Sequence, residues 1–283
     1  MPTATLLISC PDKKGITAAI TDFVYRNNGN IEHADQHIDK EFNTFFMRLE
    51  WSLKGFFIPT KSIAKRFSPL AKKFGMSWNF FLTQKKPNVA IFTSHALHCL
   101  HDLLLKSTQN YFNGNIALVI SNHKKAKDLV RSFGVPFYYL PKQSLNKEGT
   151  ERKELTLLKR HAIELIILAR YSQIFTKNFV DEFPNKIINI HHSFLPAFKG
   201  SDPYRQAYAH GVKIIGATSH YVTEELDAGP IIEQDIVRIN HRSSLQDLKK
   251  EGQELERIVL SRAVRWHLER KILTYNNKTV VFE

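Results

Sequence analysis

Residues 164–193 read ELIILARYSQIFTKNFVDEFPNKIINIHHS. Glu164–Leu168 is a short apolar run with β-branched residues, 176–182 carries Phe and Val at helical spacing, and Ile187–Ile190 is a second apolar run. Two apolar strands separated by a helix cannot form a hairpin; they pair in parallel and are covered on both faces. The same rhythm extends outward. Strands are expected at Val89–Phe92, Ile116–Ile120 and Pro136–Leu140, with helices over 95–106, 124–133 and 150–161. Downstream come a helix at 203–210, strands at Ile214–Val222 and Pro230–Ile239, and a long closing helix over 243–269. Strands alternating with helices predict an α/β, Rossmann-like domain with a mostly parallel, doubly wound sheet.

Upstream the pattern differs. Thr3–Ser9 is a strand, Pro11–Gly15 a turn, and Ile16, Ala19, Ile20, Phe23 and Val24 recur at helical spacing until Asn27-Asn28-Gly29-Asn30 stops them. Strands follow at Ile31–Ile38 and over 45–51, where Phe45, Met47, Leu49 and Trp51 alternate with Phe46, Arg48 and Glu50 as in a half-buried strand. A helix over 60–74 and a strand at Met76–Thr83 complete a βαββαβ order, the ferredoxin-like plan. Lys85-Lys86-Pro87 is polar punctuation. The expected division is therefore 1–84, a linker at 85–87, and 88–283.

Composition bounds the function. The chain has 283 residues, 43% hydrophobic and 24% charged, with a formal charge of +13. The excess is diffuse: 1–87 carry +6 and the rest +7. The densest basic stretch, Lys61, Lys65, Arg66, Lys72 and Lys73, is interleaved with apolar residues as on a solvated helix face. Neither a nucleic-acid surface nor a membrane span is expected. Two cysteines, Cys10 and Cys99, make no disulfide framework or four-cysteine zinc site. The N-terminal residues lack a signal-peptide pattern, so a cytoplasmic location is the expectation.

The first strand-to-helix turn of the larger domain, Thr93-Ser94-His95-Ala96-Leu97-His98-Cys99, contains no glycine. That excludes a dinucleotide fingerprint or P-loop there. His98 and His101 read as ordinary helix positions. The chemistry concentrates in Asn189-Ile190-His191-His192-Ser193, at the carboxyl end of a buried strand, where open α/β sheets place ligands. Asn189 and His191 share a side by strand alternation, and His192 is expected to face away. Glu224-Glu225-Leu226-Asp227-Ala228-Gly229 follows the next strand. An amide and an imidazole can hold a carbonyl oxygen as it becomes an oxyanion, and a carboxylate can orient water and take its proton. The set suits acyl transfer to a weak acceptor without a Ser or Cys nucleophile. Zinc at His191, His192 and His220 is disfavoured by the lack of a helical His pair or nearby Cys. A Ser193 triad is disfavoured by the lack of a G-x-S-x-G turn.

Asn189-Ile-His191, Ser193-Phe-Leu-Pro196, Gly216-Ala-Thr-Ser-His220 and Leu226-Asp227-Ala-Gly-Pro230, with Cys10-Pro-Asp-Lys13, His33-Ala-Asp-Gln-His37 and His98-Cys-Leu100, resemble the formyltetrahydrofolate deformylase family. The resemblance implies an N-terminal ACT domain and a formyltransferase-fold catalytic domain that hydrolyses 10-formyltetrahydrofolate to tetrahydrofolate and formate, supplying formate for purine synthesis. It implies Asn189 and His191 polarising the formyl group, Asp227 activating water, and Arg170, Tyr171, His220 and Leu226 lining the folate site. It also implies a cis Leu195–Pro196 bond, no metal or other cofactor, a homo-oligomer, and an amino-acid effector near Asp12, Gly15 and Asn30. One departure stands out: Gly200-Ser201-Asp202-Pro203-Tyr204 replaces an expected Gly-Ala-Arg/Lys-Pro-Tyr. Alternatives are formyl transfer to glycinamide ribonucleotide, disfavoured by the glycine-free turn after 92; a methionyl-tRNA formyltransferase, disfavoured because the extra domain comes first; and a non-catalytic amino-acid sensor, which leaves Asn189, His191 and Asp227 unexplained.

Overall fold

The computed structural model describes residues 2–141, 147–197 and 202–283. The chain divides into two compact units: residues 1–86 with 270–275 and 279–283, and residues 87–269 with 276–278.

The first unit runs β1 (Thr3–Pro11), α1 (Ile16–Arg26), β2 (Asn30–Asp39), β3 (Thr44–Ser52), α2 (Thr60–Phe74) and β4 (Ser77–Leu82). Its sheet order β2-β3-β1-β4 is the ferredoxin-like arrangement. Leu6, Ile8, Leu49 and Trp51 pack against Ile20 and Val24 of α1 and Ile63 and Phe67 of α2. Each such side chain contributes about 1.5–3 kcal/mol on burial. Lys61, Lys65, Arg66, Lys72 and Lys73 are exposed, as a solvated helix face requires.

β3 departs from the half-buried expectation. Phe46 is fully buried and Arg48 is 6% exposed. The cause lies at the other end of the chain: Phe46 and Leu7 pack with Phe282, Leu273, Tyr275 and Val280. Arg48 Nε donates to the Arg270 carbonyl at 3.1 Å, and Tyr275 Oη donates to Asp39 at 2.7 Å. The C-terminal residues, read from sequence as part of the second domain, thus cluster with the first unit.

The second unit continues with β5 (Asn88–Thr93), α3 (His98–Thr108), β6 (Asn115–Ser121), α4 (Lys127–Ser132), β7 (Phe137–Tyr139), α5 (Lys147–Arg160), β8 (Ile163–Ala169), α6 (Lys177–Asp181), β9 (Ile187–His191), α7 (Pro203–Ala209), β10 (Ile214–Tyr221), β11 (Ile231–Arg238) and α8 (Leu245–Leu268). β12 (Ile272–Tyr275) and β13 (Lys278–Val281) close the chain as a hairpin. The seven-stranded sheet has the order β11-β10-β9-β8-β5-β6-β7. Pairs from β9 to β7 are parallel, whereas β10 is antiparallel to both β9 and β11. From β5 the chain winds first toward β6 and β7, then back to β8 and β9. That reversal opens a crevice beyond the carboxyl ends of β5 and β8. Phe92, Ile166 and Leu168 bury one face with Phe175, Phe179 and Phe183. α8, begun by a Ser244–Asp247 capping box, packs on β9, β10, β11 and α3.

Candidate active site

A cleft of about 530 Å³ sits at that crevice. It is lined by Ser94–Ala96 after β5, Leu168 and 170–175 at the end of β8, Asn189–His192 from β9, His220 from β10, and 222–227. Every larger-domain site residue expected from sequence lies on this one cavity.

Register explains the assembly. Across the β9–β10 ladder His220 stands opposite Asn189, and Thr218 opposite His191. Facing residues in an antiparallel pair point to one side of the sheet, so alternation along β9 and pairing across it converge. Asn189 Nδ2 donates to His220 Nε2 at 3.2 Å, and His220 Nδ1 donates to the Tyr221 carbonyl at 2.9 Å. In this arrangement Nδ1 is the donor and Nε2 the acceptor of the His220 ring. The segment after β10 folds back to place Asp227 Oδ2 3.2 Å from His191 Nδ1, with Oδ1 3.6 Å from His220 Nε2. His191 is 5% exposed, and its Nε2 has no hydrogen-bond partner among the described residues. Burial pushes the Asp227 carboxyl up, but the His191 hydrogen bond and the adjacent His220 ring outweigh it and hold the group well below the usual carboxylate range.

Two features fix the flanking backbone. Asp227 has a left-handed φ of 53°. Gly229 lies so close to the end of β10 that a Cβ would stand 1.8 Å from the Tyr221 carbonyl oxygen. After β9, Thr218 Oγ1 accepts from the Leu195 N–H at 3.1 Å and donates to the Ser193 carbonyl at 2.8 Å. Gln234 Nε2 donates to the Leu195 carbonyl at 3.0 Å, and Leu195–Pro196 is cis, as expected.

His192 does not face away. β9 ends at His191, so strand alternation no longer governs the next residue, and His192 also lines the cleft. Burial and then the neighbouring Arg170 cation push its pKa down to about 3, so it is neutral. Arg170, at φ 59°, turns back to place Nε 3.4 Å from Glu256 Oε2. Tyr171 donates its hydroxyl to Glu154 Oε1 at 3.0 Å. Leu226, 53% exposed, sits at the rim.

His98 is not an ordinary helix position. Its Nε2 stands 2.7 Å from the fully buried Glu256 carboxylate. Sequence reasoning missed Glu256, although a signal was present: it shares a helical stripe with Leu255, Val259 and Leu260, where an acid is out of place unless partnered. His98, Cys99 and Glu256 place ligand atoms within 4.8 Å of one another. The residues present fit a metal ion poorly, because Arg170 and Tyr204 already occupy that carboxylate.

In the first unit the structure separates the expected effector residues. Asp12 and Gly15 follow the end of β1, whereas Asn30 begins β2 opposite Ser52, which in turn faces Thr3 at the start of β1. Asp12–Gly15 and Asn30 therefore lie at opposite ends of the sheet. Gly200 and Ser201 of the departing motif lie outside the described residues. Asp202 precedes α7 with its carboxylate 3.2 Å from Arg205 Nε. No helix among the described residues is long and apolar enough to cross a membrane.

The family model described as formyl transferase matches residues 87–264, and the ACT domain model matches 4–50. The chain is 49% identical over 280 residues to a formyltetrahydrofolate deformylase of Synechocystis sp., covering 99% of this chain and 98% of that one. The crystal structure of a formyltetrahydrofolate deformylase from Pseudomonas syringae is similar with a TM-score of 0.97 at 42% identity, over 100% of this chain and 95% of that one. A phosphoribosylglycinamide formyltransferase from Anaplasma phagocytophilum matches 70% of this chain and 96% of its own, with a TM-score of 0.64 at 32% identity.

Proposed function

The chain belongs to the formyltetrahydrofolate deformylase family, and on that premise we propose that Asn189, His191 and Asp227 hydrolyse 10-formyltetrahydrofolate to tetrahydrofolate and formate. One observation carries the assignment: an amide, an imidazole and a carboxylate share one cleft wall, with His191 Nε2 buried and unpartnered among the described residues.

The formyl oxygen is received by the Asn189 amide and, in the imidazolium form, by His191 Nε2–H. As water attacks the formyl carbon this oxygen gains negative charge, and each preplaced donor is worth about 10²–10³ in rate. Asp227 Oδ2 anchors His191 through Nδ1. Its Oδ1, beyond hydrogen-bond distance of His220, is left to accept a proton from water. The C–O bond forms and the C–N10 bond breaks; one water proton is delivered to N10, the other is released to solvent, and formate leaves. This reading calls on no cofactor. Tyr171, Leu226 and His220 would border the pterin, and Arg170 would border the reacting end.

The ACT unit is assigned a small effector and pairing with a second copy, on its fold alone; an effector that bridges Asp12–Gly15 and Asn30 would need residues of two chains. The reaction is tested by incubating purified protein with 10-formyltetrahydrofolate in buffer and following formate. Release without an amine supports hydrolysis; product formed only when glycinamide ribonucleotide is added selects the transferase instead.

A further inference from the structure

Three side chains from separate segments close around the Glu256 carboxylate, which is 1% exposed. Tyr204 of α7 donates its hydroxyl to Oε1 at 2.6 Å; His98, first residue of α3, stands 2.7 Å from Oε2; Arg170, just after β8, brings Nε to 3.4 Å of that oxygen. Burial pushes the carboxyl up, but the His98 hydrogen bond and the Arg170 cation hold it below its ordinary value, so it is a charged group fully engaged. The cluster adjoins the catalytic residues. The Tyr204 ring lies 5.7 Å from His192, whose ring lies 5.2 Å from His191, and Arg170 and His192 both line the cleft.

The chain is shaped to hold this arrangement. Gly252 is one turn before Glu256, and a Cβ there would stand 2.1 Å from the Tyr204 hydroxyl. Arg170 keeps a left-handed φ of 59°, which disfavours any residue with a Cβ. A glycine would fit the backbone better, yet a long cation occupies the position.

We infer that the Glu256 network is the acceptor-specificity element of the enzyme: Arg170, on the cleft wall with His191 and His192, and His98 and Tyr204 away from the cleft together occupy the carboxylate that a nucleophile larger than water would need. The inference rests on the hydrolase reading and deepens it. The chemistry does not itself choose water. An amine nitrogen could equally bond to the formyl carbon, lose its proton toward N10 as the C–N10 bond breaks, and leave as a formamide. What differs is room and polarity at the nucleophile's station. A carboxylate engaged by three donors cannot receive an incoming ammonium group, and Arg170 repels one. The fold is shared with a phosphoribosylglycinamide formyltransferase at 32% identity, so the choice of acceptor must be made by local side chains such as these.

The test is a partition measurement. Wild type, Arg170→Gly and Gly252→Ala are each incubated with 10-formyltetrahydrofolate and glycinamide, and the ratio of N-formylglycinamide to formate is read by mass spectrometry. The ratio is internal, so a lower rate or yield of folded protein does not alter it. Arg170→Gly, which removes the cation while suiting the backbone, is expected to raise the ratio about tenfold or more. Gly252→Ala, which displaces Tyr204 without touching the cleft, is expected to raise it less. A ratio unchanged from wild type in both variants, with formate still released, overturns the inference alone. No formate from wild type in buffer without amine overturns the hydrolase reading and the inference together.

Discussion

Asp227 Oδ2 lies 3.2 Å from His191 Nδ1, while the opposite ring nitrogen of that histidine is buried with no partner among the described residues. A carboxylate on one side of an imidazole fixes the ring and its tautomer, and the other side is left for substrate. Removing the charge and keeping the shape isolates this contribution. Asp227→Asn is expected to lower kcat by about 10²–10⁴ with folate binding retained. Steady-state kinetics beside a folate-analogue titration check this; a near-wild-type kcat would exclude Asp227 from the mechanism.

Asn189 acts on a different atom. Asn189→Ala removes one donor to the formyl oxygen and also the partner of His220 Nε2. A fall in kcat of about 10²–10³ is expected. His220→Gln, which can still meet the amide, should lose much less. Equal losses in the two variants would assign Asn189 to holding His220 rather than to the oxyanion.

Backbone placement is as important as side-chain identity. A Cβ at Gly229 would stand 1.8 Å from the Tyr221 carbonyl oxygen, two residues beyond Asp227. Gly229→Ala must shift this segment, and displacements near 1 Å cost about 10²-fold in rate. The expected signature is lost turnover with circular dichroism unchanged; full activity would show that the segment relaxes elsewhere.

Glu154 gives a pH dependence of unusual sign. Burial pushes its carboxyl up to about 7, with the Tyr171 hydrogen bond opposing and Glu151 reinforcing. Between about 4.5 and 7 the native protein therefore holds a proton that the unfolded chain has released, so this group's contribution to stability falls as pH rises through that window. Glu154→Gln still accepts from Tyr171 and should flatten the decline. Urea midpoints for both proteins near pH 5 and near pH 8 provide the check; parallel pH trends would refute the assignment.

Much of this architecture is legible in the chain because periodicity reports burial directly. Leu165–Leu168 is apolar throughout and Ile187–Ile190 apolar but for Asn189; both become interior strands, while Asn189 and the polar residues that follow become the site. Strand direction is a different matter. Nothing in Ile214–Tyr221 marks it as antiparallel, because alternation is blind to polarity of the chain. The C-terminal hairpin did carry a local signal: Asn276-Asn277, both at positive φ, is the two-residue turn that such hairpins favour. Its burial of Phe46 could not be read locally, since the partners are more than 200 residues apart. The Glu256 cluster is hidden for the same reason. Only its acidic member looks anomalous within its own helix, and His98, Arg170 and Tyr204 acquire meaning when four segments meet.

The pairing of Asn189 with His220 and of His191 with Thr218 links enzyme and scaffold in one further respect. Sliding either strand by a single residue would turn its inward side chains to the opposite surface of the sheet, dispersing the reactive groups even if most hydrogen bonds re-formed. Length changes in the connections 210–213 and 239–243 should thus be far more tolerable than a single insertion inside 187–191 or 214–221. Evolution of new activity on this frame has freedom at the rim and almost none in the ladder.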